Sequence, residues 1–171
     1  MNDSNNNYTN ELQNSTKIIL LLMIKNESSI IERCLKNAID LVDAVSILDT
    51  GSTDNTLELC NGFLRETGKP FDINIEPWKN FGYNRTISFQ KCQDFCGLIG
   101  WNPETTYALA LDADMCLCVP SDFRSYPLTS NAYSIIQKNP VIEYYNVRFL
   151  RLGYNWKCTG ATHEYLSLIH I

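Results

Sequence analysis

Between Lys17 and Leu111, strand-sized apolar runs alternate with segments whose apolar residues recur at helical spacing, and this alternation constrains the fold more than any other feature. Lys17–Lys25 is apolar between its two lysines with no in–out alternation, which predicts a strand buried on both faces. Ser29-Ile-Ile-Glu32 has the pattern of a capping box, and Ile30, Ile31, Cys34, Leu35, Ala38 and Ile39 continue it at helical spacing. Ala44–Leu48 predicts a second strand, Leu57–Thr67 a second helix stopped at Gly68, and Phe71–Glu76 a third strand. Asn84–Cys96 predicts a third helix and Tyr107–Leu111 a fourth strand. Ala132–Gln137 and Ile142–Leu152 follow as later strands joined by an Asn139-Pro140 turn. Strand–helix repetition of this kind is the pattern of a mostly parallel α/β sheet flanked by helices, made mixed by the paired later strands.

In such sheets ligands gather beyond the carboxyl ends of the strands. Three polar segments should meet there: Lys25-Asn26-Glu27, Asp49–Asn55, and Asp112-Ala-Asp114. The last pair interrupts the apolar run Tyr107–Leu117, where an uncompensated carboxylate is costly. In an extended segment residues two apart point the same way, so the two acids would share a hard divalent cation. The plainer expectation is a solvated loop with an aspartate cap. In Asp49-Thr-Gly-Ser-Thr-Asp-Asn-Thr56, Gly51 permits an unusual backbone angle or a close ligand approach, and Ser52, Thr53 or Asp54 can cap the next helix.

Composition narrows the field. At 171 residues, 44% hydrophobic and 19% charged, the chain can bury one ordinary core. A net charge of −5 with no basic cluster argues against a nucleic-acid partner. No apolar run is long enough to span a membrane, and no basic-then-apolar leader opens the sequence. Residues 1–16, rich in Asn, Ser and Thr, predict a disordered tail ahead of a domain over 17–171. Seven cysteines, an odd number, fit reduced thiols in a cytoplasmic protein; Cys92-x-x-x-Cys96 and Cys116-x-Cys118 lack standard zinc-finger spacing.

Taken together, Leu22-Met-Ile-Lys-Asn-Glu27, Arg33-Cys-Leu35, Asp49–Thr56 and Leu111-Asp-Ala-Asp-Met115 resemble family 2 glycosyltransferases of the GT-A (nucleotide-diphospho-sugar transferase) fold. Trp78-Lys-Asn-Phe-Gly-Tyr-Asn-Arg85 and His163-Glu164, after Trp156, are similar to a branch of that family. The resemblance implies an inverting transfer of a sugar from a nucleotide-sugar donor, by default a UDP-sugar, to a saccharide, lipid or protein acceptor, with Mn²⁺ or Mg²⁺. It implies that Lys25, Asn26 and Glu27 lie beside the nucleoside, with Asp49 contacting base or ribose and Gly51 and Ser52 in the same wall. Asp112 would face ribose or metal, Asp114 would ligate the metal, and Arg85 would reach the donor diphosphate. His163 would contact metal or phosphate, and Glu164 would be the general base. Trp78, Phe81 and Tyr83 would either wall an acceptor site or pack in the core.

Two departures stand against the family pattern. Many members carry two adjacent acids where this chain has Asp49-Thr50, and the chain ends seven residues after Glu164, where members usually continue into helices that cover the donor. The expectation is a minimal or C-terminally truncated domain, with a homodimer as one source of cover. The competing functions are a nucleotide-sugar-binding module without turnover and a nucleotidyltransferase. The latter normally has a Gly-rich, basic loop after the first strand, where this chain has Lys25-Asn-Glu-Ser-Ser29.

Overall fold

The computed structural model of the chain describes residues 16–160 and the backbone of 165–168. The tail predicted over 1–16 lies outside these residues apart from Thr16, as do His163 and Glu164. The chain order is β1 (Lys17–Ile24), α1 (Ile31–Ala38), β2 (Ala44–Asp49), α2 (Thr56–Thr67), β3 (Phe71–Ile75), α3 (Phe81–Leu98) and β4 (Thr106–Leu111). Then come a 3₁₀ turn (Phe123–Ser125), β5 (Ala132–Lys138), β6 (Glu143–Arg151), β7 (Trp156–Thr159) and β8 (Tyr165–Leu168).

Six strands form one mixed sheet in the order β3-β2-β1-β4-β6-β5, with β7 and β8 in a separate antiparallel pair. β1 lies parallel between β2 and β4, and β6 runs antiparallel beside β4. The even-numbered side chains of β1, Ile18, Leu20, Leu22 and Ile24, pack on one face against Ile31 and Leu35 of α1 and Cys60 and Leu64 of α2. Ile19 and Leu21 pack on the other face against Phe89, Cys92, Phe95 and Cys96 of α3. Helices on both faces explain why β1 has no polar alternation: every side chain it offers to either layer is removed from water. Cys92 and Cys96 are core side chains on one helix face, which accounts for their spacing.

β1, β2 and β3 are laid down in one direction and β4 returns to the other side of β1. The order reverses between β1 and β4, and such a reversal opens a crevice at the carboxyl ends of the two strands. The residues following β1 and β4 are Lys25-Asn26-Glu27 and Asp112-Ala-Asp114.

Two helix starts differ from the sequence pattern. Ser29 and Glu32 form no capping box; the residue before α1 makes no side-chain cap, and the amides of Ile30 and Ile31 both donate to the Glu27 carbonyl at 2.9 Å. α3 begins three residues earlier than its apolar periodicity, because the Asn80 side chain accepts from the Tyr83 amide at 2.8 Å and caps a first turn that contains Gly82. Gly68 ends α2 in the left-handed region at φ 67°, as its position predicts.

Candidate functional site

The loops after β1 and β2 are fastened to each other by neutral hydrogen bonds and one carboxylate. Asn26 sits at φ 55°, a conformation that asparagine tolerates better than most residues. Its amide donates to Ser52 Oγ (2.8 Å) and its Oδ1 accepts from the Thr53 amide (2.7 Å). The Glu27 amide donates to Thr56 Oγ1 (2.8 Å) and the Ser28 amide to Asp54 Oδ2 (3.2 Å). Hydrogen bonds from Thr56 and then Ser28 pull the Asp54 carboxyl down to about 2. Its other oxygen accepts from the Thr56 amide and hydroxyl, so Asp54 supplies the cap at the start of α2.

Asp49 closes the turn from within. Its Oδ2 accepts from the amides of Gly51 (3.0 Å) and Ser52 (2.9 Å), and its Oδ1 from the Ser52 hydroxyl. The residue is 1% exposed. Gly51 lies at φ 108° with open space where a Cβ would stand, so the glycine is required by backbone angle rather than by crowding. Asn26, Asp49, Gly51 and Ser52 are therefore brought together as predicted, and much of their hydrogen-bonding capacity goes into one another. Lys25 is exposed at the rim.

The segment after β4 is shaped differently from the sequence expectation. Asp112–Met115 is a turn closed by the Met115 amide on the Asp112 carbonyl (3.0 Å), not an extended segment, so strand alternation does not align its two acids. Ala113 is buried, Asp114 is exposed, and Asp112 is held by arginines. Arg85 Nη2 donates to Asp112 Oδ1 at 3.2 Å, and Arg148 Nη2 to Asp112 Oδ2 at 3.0 Å. Burial pushes the Asp112 carboxyl up, but the two guanidinium charges outweigh it and hold the group below its ordinary value.

The turn is also anchored from α1. Arg33 donates to the Asp114 carbonyl (3.2 Å), the Cys34 thiol approaches the Asp112 carbonyl (3.9 Å), and the Asn37 side chain pairs with both backbone groups of Leu117. Sequence reasoning missed Asn37 and Arg148. The available signal for Arg148 was a lone basic residue in the apolar run Val147-Arg148-Phe149-Leu150.

The edges after β1, β2 and β4 meet electrostatically. Glu27 has its carboxyl raised, first by burial, then by the negative charges of Asp114, Asp54 and Asp112. Several carboxylates on one rim, with hard oxygen donors, fit a divalent cation of the magnesium or manganese kind. Among the described residues no three acidic, cysteine or histidine side chains enclose a metal on their own. A cation here would take one or two protein carboxylates, Asp114 and Glu27 being the ones left after Asp112 is paired with arginines and Asp49 and Asp54 are tied into the loops, and would fill its shell with other oxygen ligands and water.

A ledge flanks this rim. Trp78 and Phe81 meet edge to face with centroids 4.7 Å apart and are 40% and 41% exposed, so neither is a core residue. Tyr83 donates to Glu76 Oε1 (2.9 Å) beneath Lys79. The buried Asn84 fixes the ledge, accepting from the Lys79 amide (2.8 Å) and donating to the Pro77 carbonyl (3.2 Å). Beside it an open groove of about 540 Å³ runs between α3 and β7, lined by residues including Asn80, Thr86, Ile87, Gln90, Lys157 and Cys158. At its floor the Gly82 amide donates to the Gly160 carbonyl, and a Cβ on Gly82 would stand 2.6 Å from that oxygen.

No protein-family model matches the chain, and no curated protein matches it. Among solved structures, S. aureus TarS 1–349 in complex with UDP is similar at 18% identity and a TM-score of 0.45, over 58% of this chain and 28% of that one. The glucosyl-3-phosphoglycerate synthase of Mycobacterium tuberculosis in complex with Mn²⁺, UDP and glucosyl-3-phosphoglycerate is similar at 19% identity and a TM-score of 0.42, over 61% and 36%. The same synthase with Mn²⁺ and UDP-glucose gives 18% and 0.38, over 63% and 36%. This chain thus spans about a third of the length of those proteins. Among the described residues no helix is long and apolar enough to cross a membrane.

Proposed function

We propose that the chain is a glycosyltransferase domain that moves a sugar from a nucleotide-sugar, by default a UDP-sugar, to an acceptor hydroxyl with inversion at the anomeric carbon. One observation carries this reading: at the reversal point between β1 and β4, a carboxylate gripped by two arginines sits in the same rim as Glu27 and the exposed Asp114. A rim of this kind suits a diphosphate, whose oxygens require both cationic donors and a shared cation.

In this assignment the fastened loops of Asn26, Glu27, Asp49, Gly51 and Ser52 form the nucleoside wall, with Lys25 at its rim. Asp114 would hold the cation with Glu27 beside it, and Asp112, Arg85 and Arg148 would stand toward the diphosphate. When bound, Mn²⁺ or Mg²⁺ supplies charge neutralisation to the departing nucleoside diphosphate. Arg85 adds hydrogen bonds to the same developing charge. A general base takes the acceptor proton as the anomeric carbon–oxygen bond to the diphosphate breaks. Glu164 is our assignment for that base and His163 for a phosphate or metal contact, both on the motif resemblance alone. The acceptor, whether saccharide, lipid or protein, would approach along the Trp78–Phe81 ledge, since exposed aromatic faces favour ring stacking.

The direct test is release of UDP from a panel of UDP-sugars with Mn²⁺, with and without simple acceptors. Metal-dependent release that Asp114→Ala abolishes supports the transferase. Nucleotide binding without release in any combination leaves a nucleotide-sugar-binding module.

A further inference from the structure

Trp78 and Phe81 are large aromatic side chains left 40% and 41% exposed on a segment that is otherwise held fast. At its start the Glu76 amide donates to the Asp49 carbonyl (3.0 Å), and at its end Arg85 donates to Asp112. The segment therefore spans the rim between the loops after β2 and β4. Its backbone is committed inward: the amides of Lys79 (2.8 Å) and Asn80 (3.3 Å) both donate to Asn84 Oδ1, and the Pro77 carbonyl accepts from Asn84 Nδ2 (3.2 Å). Tyr83 is committed too. Its hydroxyl donates to Glu76 Oε1 (2.9 Å), and the Lys79 ammonium lies over its ring, 3.8 Å from the centroid.

What the segment leaves open is aromatic. Trp78 and Phe81 meet at 85° with centroids 4.7 Å apart, and in such a T-shaped pair the ring that gives its edge keeps both flat faces out of the contact. The groove between α3 and β7 begins at Asn80 and Gly82, the residues on either side of Phe81. Its volume of about 540 Å³ lies within the range of about 300–1,000 Å³ usual for small-ligand sites. Further along, its lining includes Ile87 and the carboxamide of Gln90. A pyranose matches this combination. Its C–H face stacks on an aromatic ring, and its hydroxyls, each both donor and acceptor, pair with carboxamides, which also offer both. An extended polypeptide would need open backbone groups to pair with, and the amides of 79 and 80 and the carbonyl of 77 are taken. An acyl chain would need a continuous apolar surface, which Lys79, Asn80 and Gln90 interrupt.

We propose, resting on the nucleotide-sugar reading above, that the acceptor is a saccharide: one sugar ring stacks on the Trp78–Phe81 ledge, and the rest of the oligosaccharide lies in the groove between α3 and β7, where Gln90 meets its hydroxyls.

The experiment screens the natural chain, without nucleotide, against an array of immobilised oligosaccharides, a set of unstructured Ser/Thr peptides, and phosphatidylcholine vesicles carrying a polyprenyl phosphate. The strongest binder is then titrated in solution, and UDP with Mn²⁺ is titrated separately. At least one oligosaccharide should bind, and neither of the other two classes should. Trp78→Ala should weaken saccharide binding by about tenfold and Gln90→Ala by about threefold, with Phe81→Ala between them. Trp78→Tyr keeps a flat ring in place and should retain most of the affinity. If Trp78→Ala does not fold, Phe81→Ala and Gln90→Ala carry the same test. Absence of saccharide binding, binding of peptide or vesicle in its place, or saccharide binding unchanged in the folded variants overturns the proposal and leaves the donor reading to the UDP titration. Ledge-dependent saccharide binding by a chain that binds no UDP overturns the acceptor role together with the donor site.

Discussion

The two halves of the rim are built on opposite principles. The β1 and β2 loops are knitted by short hydrogen bonds among Asn26, Ser52, Thr53, Asp54 and Thr56, most of them neutral and all satisfied locally. The β4 turn is held by ion pairs from residues 27 and 36 positions away, and its outermost acid is bound to nothing through its side chain among the described residues. A neutral lattice fixes shape before any ligand arrives. A charged cluster stores interactions that a ligand completes, because charge–charge terms respond strongly to whatever enters the rim. Under the proposed function, the first half positions the nucleoside and the second half does the electrostatic part of the chemistry.

Mutations that separate stability from function test this division most sharply. Asp114→Ala should abolish Mn²⁺-dependent UDP release and shift unfolding by no more than about 0.5 kcal/mol, as for other exposed side chains without structural partners. A large drop in stability on chemical denaturation would put Asp114 in the scaffold instead. Asp112→Ala should do both kinds of damage. It removes the carboxylate to which both Arg85 and Arg148 donate, at a cost of about 2 kcal/mol, below the range for fully buried pairs because Asp112 is 35% exposed. Urea unfolding curves for the two variants, read side by side, give the contrast.

In the neutral half the expected effects are smaller and structural. Asn26→Ala loses the acceptor for the Thr53 amide and places an unsuited residue at positive φ, at a cost of about 1–2 kcal/mol. Asn26→Gly relieves the backbone angle and should recover part of that loss in the same unfolding assay. An equal loss for both would assign the whole effect to the hydrogen bond.

The smallest effects concern pH, and they carry opposite signs. Asp54 and Asp112 have depressed carboxyl pKa values in the folded chain, so the stability they contribute is present above the unfolded carboxylate value. It is lost as pH falls toward about 2, the folded value for Asp54. Glu27 is raised, so its ionisation weakens the fold as pH rises through its folded value. Glu27→Gln should therefore raise the melting temperature slightly at neutral pH and have no such effect at pH 3, while weakening Mn²⁺ binding. A lower melting temperature at neutral pH would remove Glu27 from the repulsive cluster.

The strands and helices of the first 111 residues were legible because each has a one-dimensional cause. Ile18–Ile24 is apolar on both faces because helices cover both faces, and Gly68 ends a helix because glycine accepts a left-handed backbone. The start of α3 was less legible, since its cap, Asn80, precedes a turn of residues with poor helix propensity. The polar segments after β1, β2 and β4 could be assigned to one rim from strand order alone, because parallel strands carry their carboxyl ends to the same side.

By itself, then, the amino-acid order determined the layered α/β architecture and which motifs share an edge, through periodicity and turn chemistry that act over a few residues. Only the tertiary structure decided which carboxylate is gripped and which is left exposed. Arg148 reaches Asp112 because an antiparallel β6 docks beside β4, and Asp114 is thrown outward because Asp112–Met115 closes a turn in place of continuing the strand. Contacts of that kind depend on strand register across dozens of residues, and no local pattern records them.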